Sequence, residues 1–357
     1  MLHFARMVNN LFAVVSLRDV HHVLSFYTLD GRFLRDVPLP PGSITALSGE
    51  AGDHELFFRF TSFLTPGTTY RYDFVAETLE VFRQTECHFD ASPYITSQVF
   101  YASKDGTRIP MFLVHKKDIV LDGTNPTLLY GYGGFRISQL PEFSLAASFW
   151  LEHGGIYAVA NLRGGNEYGE EWHQAGILER KQNVFDDYIA AAEWLIAQDY
   201  TAPSRLAIHG GSNGGLLVAA CLVQRPDLFG AVVCRNPLTD MLRYHRLTVG
   251  HYWTAEYGNA ETSAEHFQLL SAYSPLHNVK PGAYPPTLIL TADSDDRVSP
   301  AHALKFAAAL QEASDGTHPI LLHVQSKAGH GAGKPTGKII EQWAMIFAFL
   351  FDLFQIA

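Results

Sequence analysis

Ile208-His209-Gly210-Gly211-Ser212-Asn213-Gly214-Gly215, running into the apolar Leu216-Leu217-Val218-Ala219-Ala220, decides how this chain is read. A Gly-X-Ser-X-Gly pattern after a short apolar stretch and before a helix-forming one sets its serine on a tight strand-to-helix turn. At such a turn a β-carbon two residues before or after the serine collides with strand or helix, and glycine removes the collision. The helix beginning after Ser212 aims free N–H groups at the charge that forms when a carbonyl is attacked. Ser212 is therefore a candidate nucleophile. The plainer reading is a serine in a glycine-rich turn, and the presence or absence of partners separates the two.

Around this segment the chain alternates strands with helices. Apolar strands are expected at 126–130, 156–161, 205–209, 231–235, 286–291 and 320–324, with helices near 145–153, 184–198, 214–224, 300–312 and 336–354. Buried apolar strands between amphipathic helices predict an α/β fold, a doubly wound and mostly parallel sheet with helices on both faces. Ser212 then ends a central strand, where open α/β sheets place their sites. Residues up to about 85 read differently, as short β-runs broken by turn signals such as Asp30-Gly31 and the Pro38 to Gly42 loop. Their even spacing suggests about two blades of a β-propeller, fewer than a closed propeller needs.

Serine chemistry needs a base to take the hydroxyl proton and a carboxylate to orient that base; α/β-hydrolases supply them in the order Ser, acid, His. The strand Leu288-Ile289-Leu290-Thr291-Ala292 runs into Asp293, Asp295 and Asp296, all three open candidates for the acid. A solvated turn is the alternative for that cluster. His330, flanked by Gly329 and Gly331 between the last strand and last helix, is the candidate base. A third element, Tyr130-Gly131-Tyr132-Gly133-Gly134-Phe135, follows the strand expected to precede the oxyanion loop. That loop and the N–H of Asn213 are the expected donors to the oxyanion.

Composition sets outer limits. The 357 residues, 47% hydrophobic and 17% charged, suffice for one large α/β domain plus a smaller unit. A formal net charge of −10 argues against nonspecific binding to nucleic acid or anionic membranes. Cys87, Cys221 and Cys234 fit free thiols in a reducing compartment, and no stretch reads as a signal peptide or membrane span. These features predict a soluble, cytoplasmic protein. His21-His22 lacks a convincing ligand set, so no metal is expected.

Taken in order, YGYGGF, NLRGGNEYGEEWHQAG, GGSNGGLLVAA with QRPDLFGAVV, DMLRYHRLTVGHYWTAEYG, YSPLHNV, LTADSDDRV and KAGHGAGKPT resemble the successive motifs of the prolyl oligopeptidase family, over essentially all of residues 95–350. FTSFLTPGTTYRYD is similar to the family's last propeller segment. The resemblance implies a partial propeller over residues 1–88 and an α/β-hydrolase catalytic domain over 89–357. It also implies a serine endopeptidase without cofactor that cleaves short peptides after proline through an acyl-enzyme. Carried across residue by residue, Ser212 is the nucleophile, His330 the general base and acid, and Asp295 the orienting carboxylate. Asn213 and Tyr132 form the oxyanion hole. Trp253 stacks on the substrate proline, Phe135, Tyr257 and Val298 line the same pocket, and Arg297 holds a substrate carbonyl.

Three departures stand out. Cys234-Arg235-Asn236-Pro237-Leu238-Thr239 replaces a more apolar stretch that helps line the proline pocket, leaving the pocket's shape open. Asn166 interrupts a glycine run. Most of the family's N-terminal helical segment and seven-bladed propeller falls outside this sequence. An uncovered site would also admit esters and larger substrates, as a carboxylesterase-like or broader oligopeptidase does. An inactive fragment serving as an interaction module is the reading of a different class, because incomplete propeller sheets expose apolar edges that favour self-association.

Overall fold

The structure is a computed structural model that describes residues 1–331 and 333–356; Ala332, in the quoted segment around His330, and Ala357 lie outside them. Eight antiparallel strands open the chain. β1 (Leu2–Val8), β2 (Leu11–Arg18), β3 (His21–Thr28) and β4 (Phe33–Asp36) form one sheet in sequential order, and β5 (Ser43–Ser48), β6 (Glu55–Ser62), β7 (Thr65–Asp73) and β8 (Thr78–Gln84) form a second. These are the blade-like sheets that the spacing predicts, with β1 added. Its alternation is weak, and most of its residues stay partly exposed.

Asn9 and Asn10 have φ of 51° and 53°, and Asp19 and Val20 have 42° and 64°, the left-handed pairs that two-residue hairpins require. Val20 is β-branched and strained there. It is fully buried, in a cluster with Phe63, Phe112, Val114 and Val159, so this packing holds it in place. Val15, Leu24, Phe26, Phe58, Phe60 and Tyr72 build the core that the two sheets share. The outer strand β8 is exposed along most of its length, Val81 at 56% and Phe82 at 63%.

Residues 85–93 form no strand or helix. Beyond them come β9 (Tyr94–Ala102), β10 (Arg108–Lys116), β11 (Thr127–Tyr130), β12 (Ile156–Ala160), β13 (Leu206–Gly211), β14 (Ala231–Arg235), β15 (Thr287–Ala292) and β16 (Ile320–Gln325). They make one sheet ordered β16-β15-β14-β13-β11-β12-β10-β9. β10 runs antiparallel to β9 and β12, and every other pair is parallel. β15 is buried throughout, as a parallel strand covered on both faces must be.

The helices are α1 (Leu145–Glu152), α2 (Glu170–Gln174), α3 (Gln182–Ala197), α4 (Asn213–Gln224), α5 (Thr254–Tyr257), α6 (Ala264–Tyr273), α7 (Ala301–Ala313) and α8 (Thr336–Phe354). Phe185 of α3, Leu217 of α4 and Phe306 of α7 pack on one face of the sheet, while Trp150 of α1 and Ile346 and Leu350 of α8 cover the other. Helix α6 was not expected from the sequence. It buries only Leu270 and Tyr273, too few for a periodic signal, although Ser263 caps it by accepting from the His266 amide at 3.2 Å. Among the described residues no helix is long and apolar enough to cross a membrane.

Candidate active site

Ser212 stands between β13 and α4 at φ 60° and ψ −120°, a strained backbone position for a residue with a side chain. Its N–H donates to the Arg235 carbonyl at 2.9 Å, which ties the turn to β14. A β-carbon on Gly210 would fall 2.1 Å from the Gly214 carbonyl oxygen, and one on Gly215 would fall 2.7 Å from that of Arg235. The glycines are thus what lets strand, turn and helix close around Ser212.

The loops after β15 and β16 bring Asp295 and His330 together. His330 Nδ1 lies 2.7 Å from Asp295 Oδ2. Asp295 Oδ1 accepts the amides of Arg297 at 3.0 Å and Val298 at 2.8 Å, and Asn236 Nδ2 donates to Oδ2 at 3.0 Å. Asp293 is exposed and accepts from the Lys327 amide at 2.9 Å; Asp296 is exposed on a cavity wall. Of the three aspartates only Asp295 is buried, and only it meets a histidine. Among the described residues Ser212 Oγ makes no hydrogen bond to the His330 ring, although the two side chains line the same cavities.

The glycine-rich loop after β11 lies against the start of α4. Burial pushes the Tyr132 hydroxyl up to about 12, with Tyr130 and Glu256 adding to the effect and the nearby Ser212 hydroxyl and Arg297 opposing it. Tyr132 therefore keeps its proton near neutral pH and remains a donor. The Asn213 amide makes no hydrogen bond among the described residues. Its side chain is held from three sides: Nδ2 donates to the Tyr132 carbonyl at 2.5 Å, while Oδ1 accepts from Tyr257 Oη at 2.7 Å and Lys181 Nζ at 3.5 Å.

Lys181, Glu256 and His173 lie beneath this loop, and no sequence motif assigned them a role. Lys181 Nζ donates to the Gly133 carbonyl at 3.0 Å and sits 3.7 Å from Glu256 Oε1, both side chains being buried. Glu256 also accepts the Phe135 amide at 3.0 Å and lies 2.9 Å from His173 Nε2. Desolvation lowers the Lys181 ammonium to about 8 against the pull of Glu256. These groups hold the loop at an unusual geometry, with Gly133, Phe135 and Arg136 at φ 63°, 57° and 58°.

A cavity of about 980 Å³ opens on one side of Ser212 and His330. Tyr132, Phe135, Trp253, Tyr257 and Arg297 share its wall. Phe135 meets Tyr257 edge-on at 5.6 Å and Trp253 at 6.4 Å, so three aromatic rings frame one apolar recess. Arg297 pairs with neither Asp295 nor Asp296 among the described residues, and its side chain is exposed. Val298 is buried in the core and does not line this cavity; its contribution is the amide it gives to Asp295. A second cavity, about 400 Å³, lies across Ser212 and His330 and includes Tyr130, His209, Arg235 and Trp343. Among the described residues no group of three or more His, Cys, Asp or Glu side chains is gathered for a metal ion.

The architecture and the local pattern both have close counterparts. Residues 141–357 match the sequence model of the Prolyl oligopeptidase family, and residues 1–85 that of the prolyl oligopeptidase N-terminal beta-propeller domain. The chain is 43% identical over 340 residues to a prolyl endopeptidase of Elizabethkingia meningoseptica, covering 95% of this chain and 48% of that protein. A solved prolyl endopeptidase, from a study of inter-domain dynamics in two such enzymes, superposes with a TM-score of 0.94 at 46% identity, over all of this chain and 53% of the other. A post-proline cleaving enzyme from Rickettsia typhi superposes with a TM-score of 0.88 at 33% identity, covering 100% of this chain and 52% of that one. The chain spans about half the length of the curated relatives it matches.

Proposed function

Because the chain belongs to the prolyl oligopeptidase family, we propose that it is a serine endopeptidase cleaving short peptides on the carboxyl side of proline. The observation that carries this reading is the shared wall of the larger cavity, where Ser212 and His330 stand beside Trp253, Phe135 and Tyr257. An aromatic recess at that place suits a flat, apolar proline ring. The division of labour at residue 88, with a blade-like unit before it and a catalytic unit after it, is part of the same reading.

In this mechanism His330 Nε2 takes the Ser212 hydroxyl proton as Oγ bonds to the carbonyl carbon of the substrate proline. The new negative charge on the carbonyl oxygen receives hydrogen bonds from the Asn213 amide and the Tyr132 hydroxyl. Asp295 keeps His330 Nδ1 protonated and oriented, supported by their 2.7 Å contact. His330 then gives its proton to the departing amine, the carbon–nitrogen bond breaks, and the acyl-enzyme remains. Water repeats the sequence and frees Ser212. Arg297, without an ion-pair partner among the described residues and on the cavity wall, would hold a carbonyl of the acyl part.

Hydrolysis of a blocked Gly-Pro anilide, lost on Ser212→Ala, is the direct test. Turnover of acyl esters without any proline-peptide cleavage would overturn the peptidase assignment in favour of an esterase. A folded preparation that a fluorophosphonate leaves unlabelled would mark an inactive interaction module. Exposed Val81 and Phe82 on β8 support self-association through that sheet edge, and the free thiols Cys87, Cys221 and Cys234 support a cytoplasmic location.

A further inference from the structure

Arg235 is a cation beside the nucleophile that forms no ion pair among the described residues. It ends β14 in register with Gly211, and its carbonyl holds the Ser212 amide. Its side chain lines the second cavity, which shares Ser212 and His330 with the aromatic recess but none of the recess's aromatic rings. There the guanidinium lies over the Trp343 ring at 5.3 Å, and Nη1 sits 3.3 Å from His209 Nε2. Burial holds His209 well below the ordinary histidine range, so this neighbour is neutral. Glu142 shares the cavity wall, yet among the described residues no carboxylate forms an ion pair with Arg235. Lys334 adds positive charge: after its own burial, the field of Arg235 holds its ammonium below the usual lysine range. A partly buried guanidinium that faces a cavity beside a neutral histidine, with no carboxylate paired to it among the described residues, is a site for an anion, and its planar fork matches a carboxylate.

We propose that Arg235 binds the free C-terminal carboxylate of the leaving peptide, so that the site favours bonds lying one or two residues from the carboxyl end. This rests on the proline-peptidase reading, which puts the acyl part in the aromatic recess and so directs the leaving part across His330 into the second cavity. An extended residue advances about 3.5 Å, so an arginine rooted on the strand next to the nucleophile meets a carboxylate only one or two residues past the cut. The ligand class is a short peptide ending just after proline, not an internal segment of a long one.

The test compares acetyl-Ala-Gly-Pro-Phe with its C-terminal amide, using the 357-residue chain. The free acid is expected to have kcat/KM about tenfold above the amide, roughly one charge-assisted hydrogen bond. Arg235→Gln brings that ratio to about one, and Arg235→Lys keeps it above one. Equal rates on acid and amide in the native chain, or an unchanged ratio in Arg235→Gln, overturn the proposal. If neither peptide is cut, the peptidase reading fails, and the subsite is read separately by protection. The dipeptide Ala-Phe should then slow fluorophosphonate labelling of Ser212 more than its amide does, in the native chain but not in Arg235→Gln. Equal protection by both dipeptides overturns the subsite.

Discussion

Tyr257 Oη donates to Asn213 Oδ1 at 2.7 Å, which links the wall of the aromatic recess to the residue following Ser212. A ring pressing on the recess is thereby coupled to the amide proposed to face the oxyanion. Tyr257→Phe keeps the ring and its edge contact with Phe135 but removes the donor, leaving Asn213 Oδ1 with only Lys181 at 3.5 Å. We expect kcat to fall about tenfold with KM nearly unchanged, since the loss is felt when charge develops on the substrate oxygen. A rise in KM at constant kcat, measured on a proline anilide, would assign Tyr257 to substrate binding alone.

Lys181 predicts a pH dependence of stability. Its ammonium is pushed down to about 8 in the folded chain, from a lysine's ordinary 10.5. Between those values the unfolded chain binds more protons than the folded one, so this group makes the fold more stable as pH rises through the window. Lys181→Met removes the term and leaves buried Glu256 without its ammonium, at a cost on the order of 3 kcal/mol. Urea unfolding at pH 7.5 and 9.5 should show the gap between the native chain and Lys181→Met widening at the higher pH. A constant or narrowing gap would mean that Lys181 is not the titrating group.

These two networks also mark where sequence reasoning stopped. Ser212 was legible because Gly210 and Gly214 answer a local steric demand. The acidic loop of Asp293 to Asp296 and His330 were legible because their order and loop positions follow from the sheet. Reading the residues alone left Asp293, Asp295 and Asp296 equivalent, since burial and the Asn236 contact are properties of the folded loop. Lys181, Glu256 and His173 come from three segments and meet only when the sheet is assembled; His173 and Glu256 are 83 residues apart. The short α5 that carries Glu256 has no periodicity to read, and β1 and α6 bury too little to stand out.

Asn236, at φ 41° just past β14, donates through Nδ2 to Asp295 Oδ2 at 3.0 Å and to the His330 carbonyl at 3.1 Å. Asn236→Ala leaves both acceptors short of a donor and frees the loop that carries His330. We expect kcat/KM to drop about thirtyfold, corresponding to ~2 kcal/mol, with slower fluorophosphonate labelling of Ser212. Asn236→Asp should do more damage, because it sets a second carboxylate against Asp295. Native labelling rates in both variants would show that Asp295 alone suffices to orient the histidine.

Glu167 carries a pH effect of opposite sign. It is buried, its Oε1 accepts the Gln139 amide at 2.9 Å, and among the described residues its Oε2 has no partner. Burial raises the carboxyl from 4.5 to about 7, against the backbone N–H of Gln139 that favours its charged form. Protonation removes the charge from the interior, whereas the ionised form leaves it there with Oε2 unpartnered among the described residues. Between 4.5 and about 7 the folded chain binds more protons than the unfolded one, so the stability this group contributes is present below pH 4.5 and is lost as pH rises through 7. Glu167→Gln keeps the shape, is neutral at every pH and removes the term. The variant should therefore gain stability over the native chain on going from pH 5 to pH 8, by on the order of 2 kcal/mol. Urea unfolding at the two pH values measures the difference, and a stability gap between the two chains that stays constant from pH 5 to pH 8 would show that Glu167 is ionised in the fold throughout.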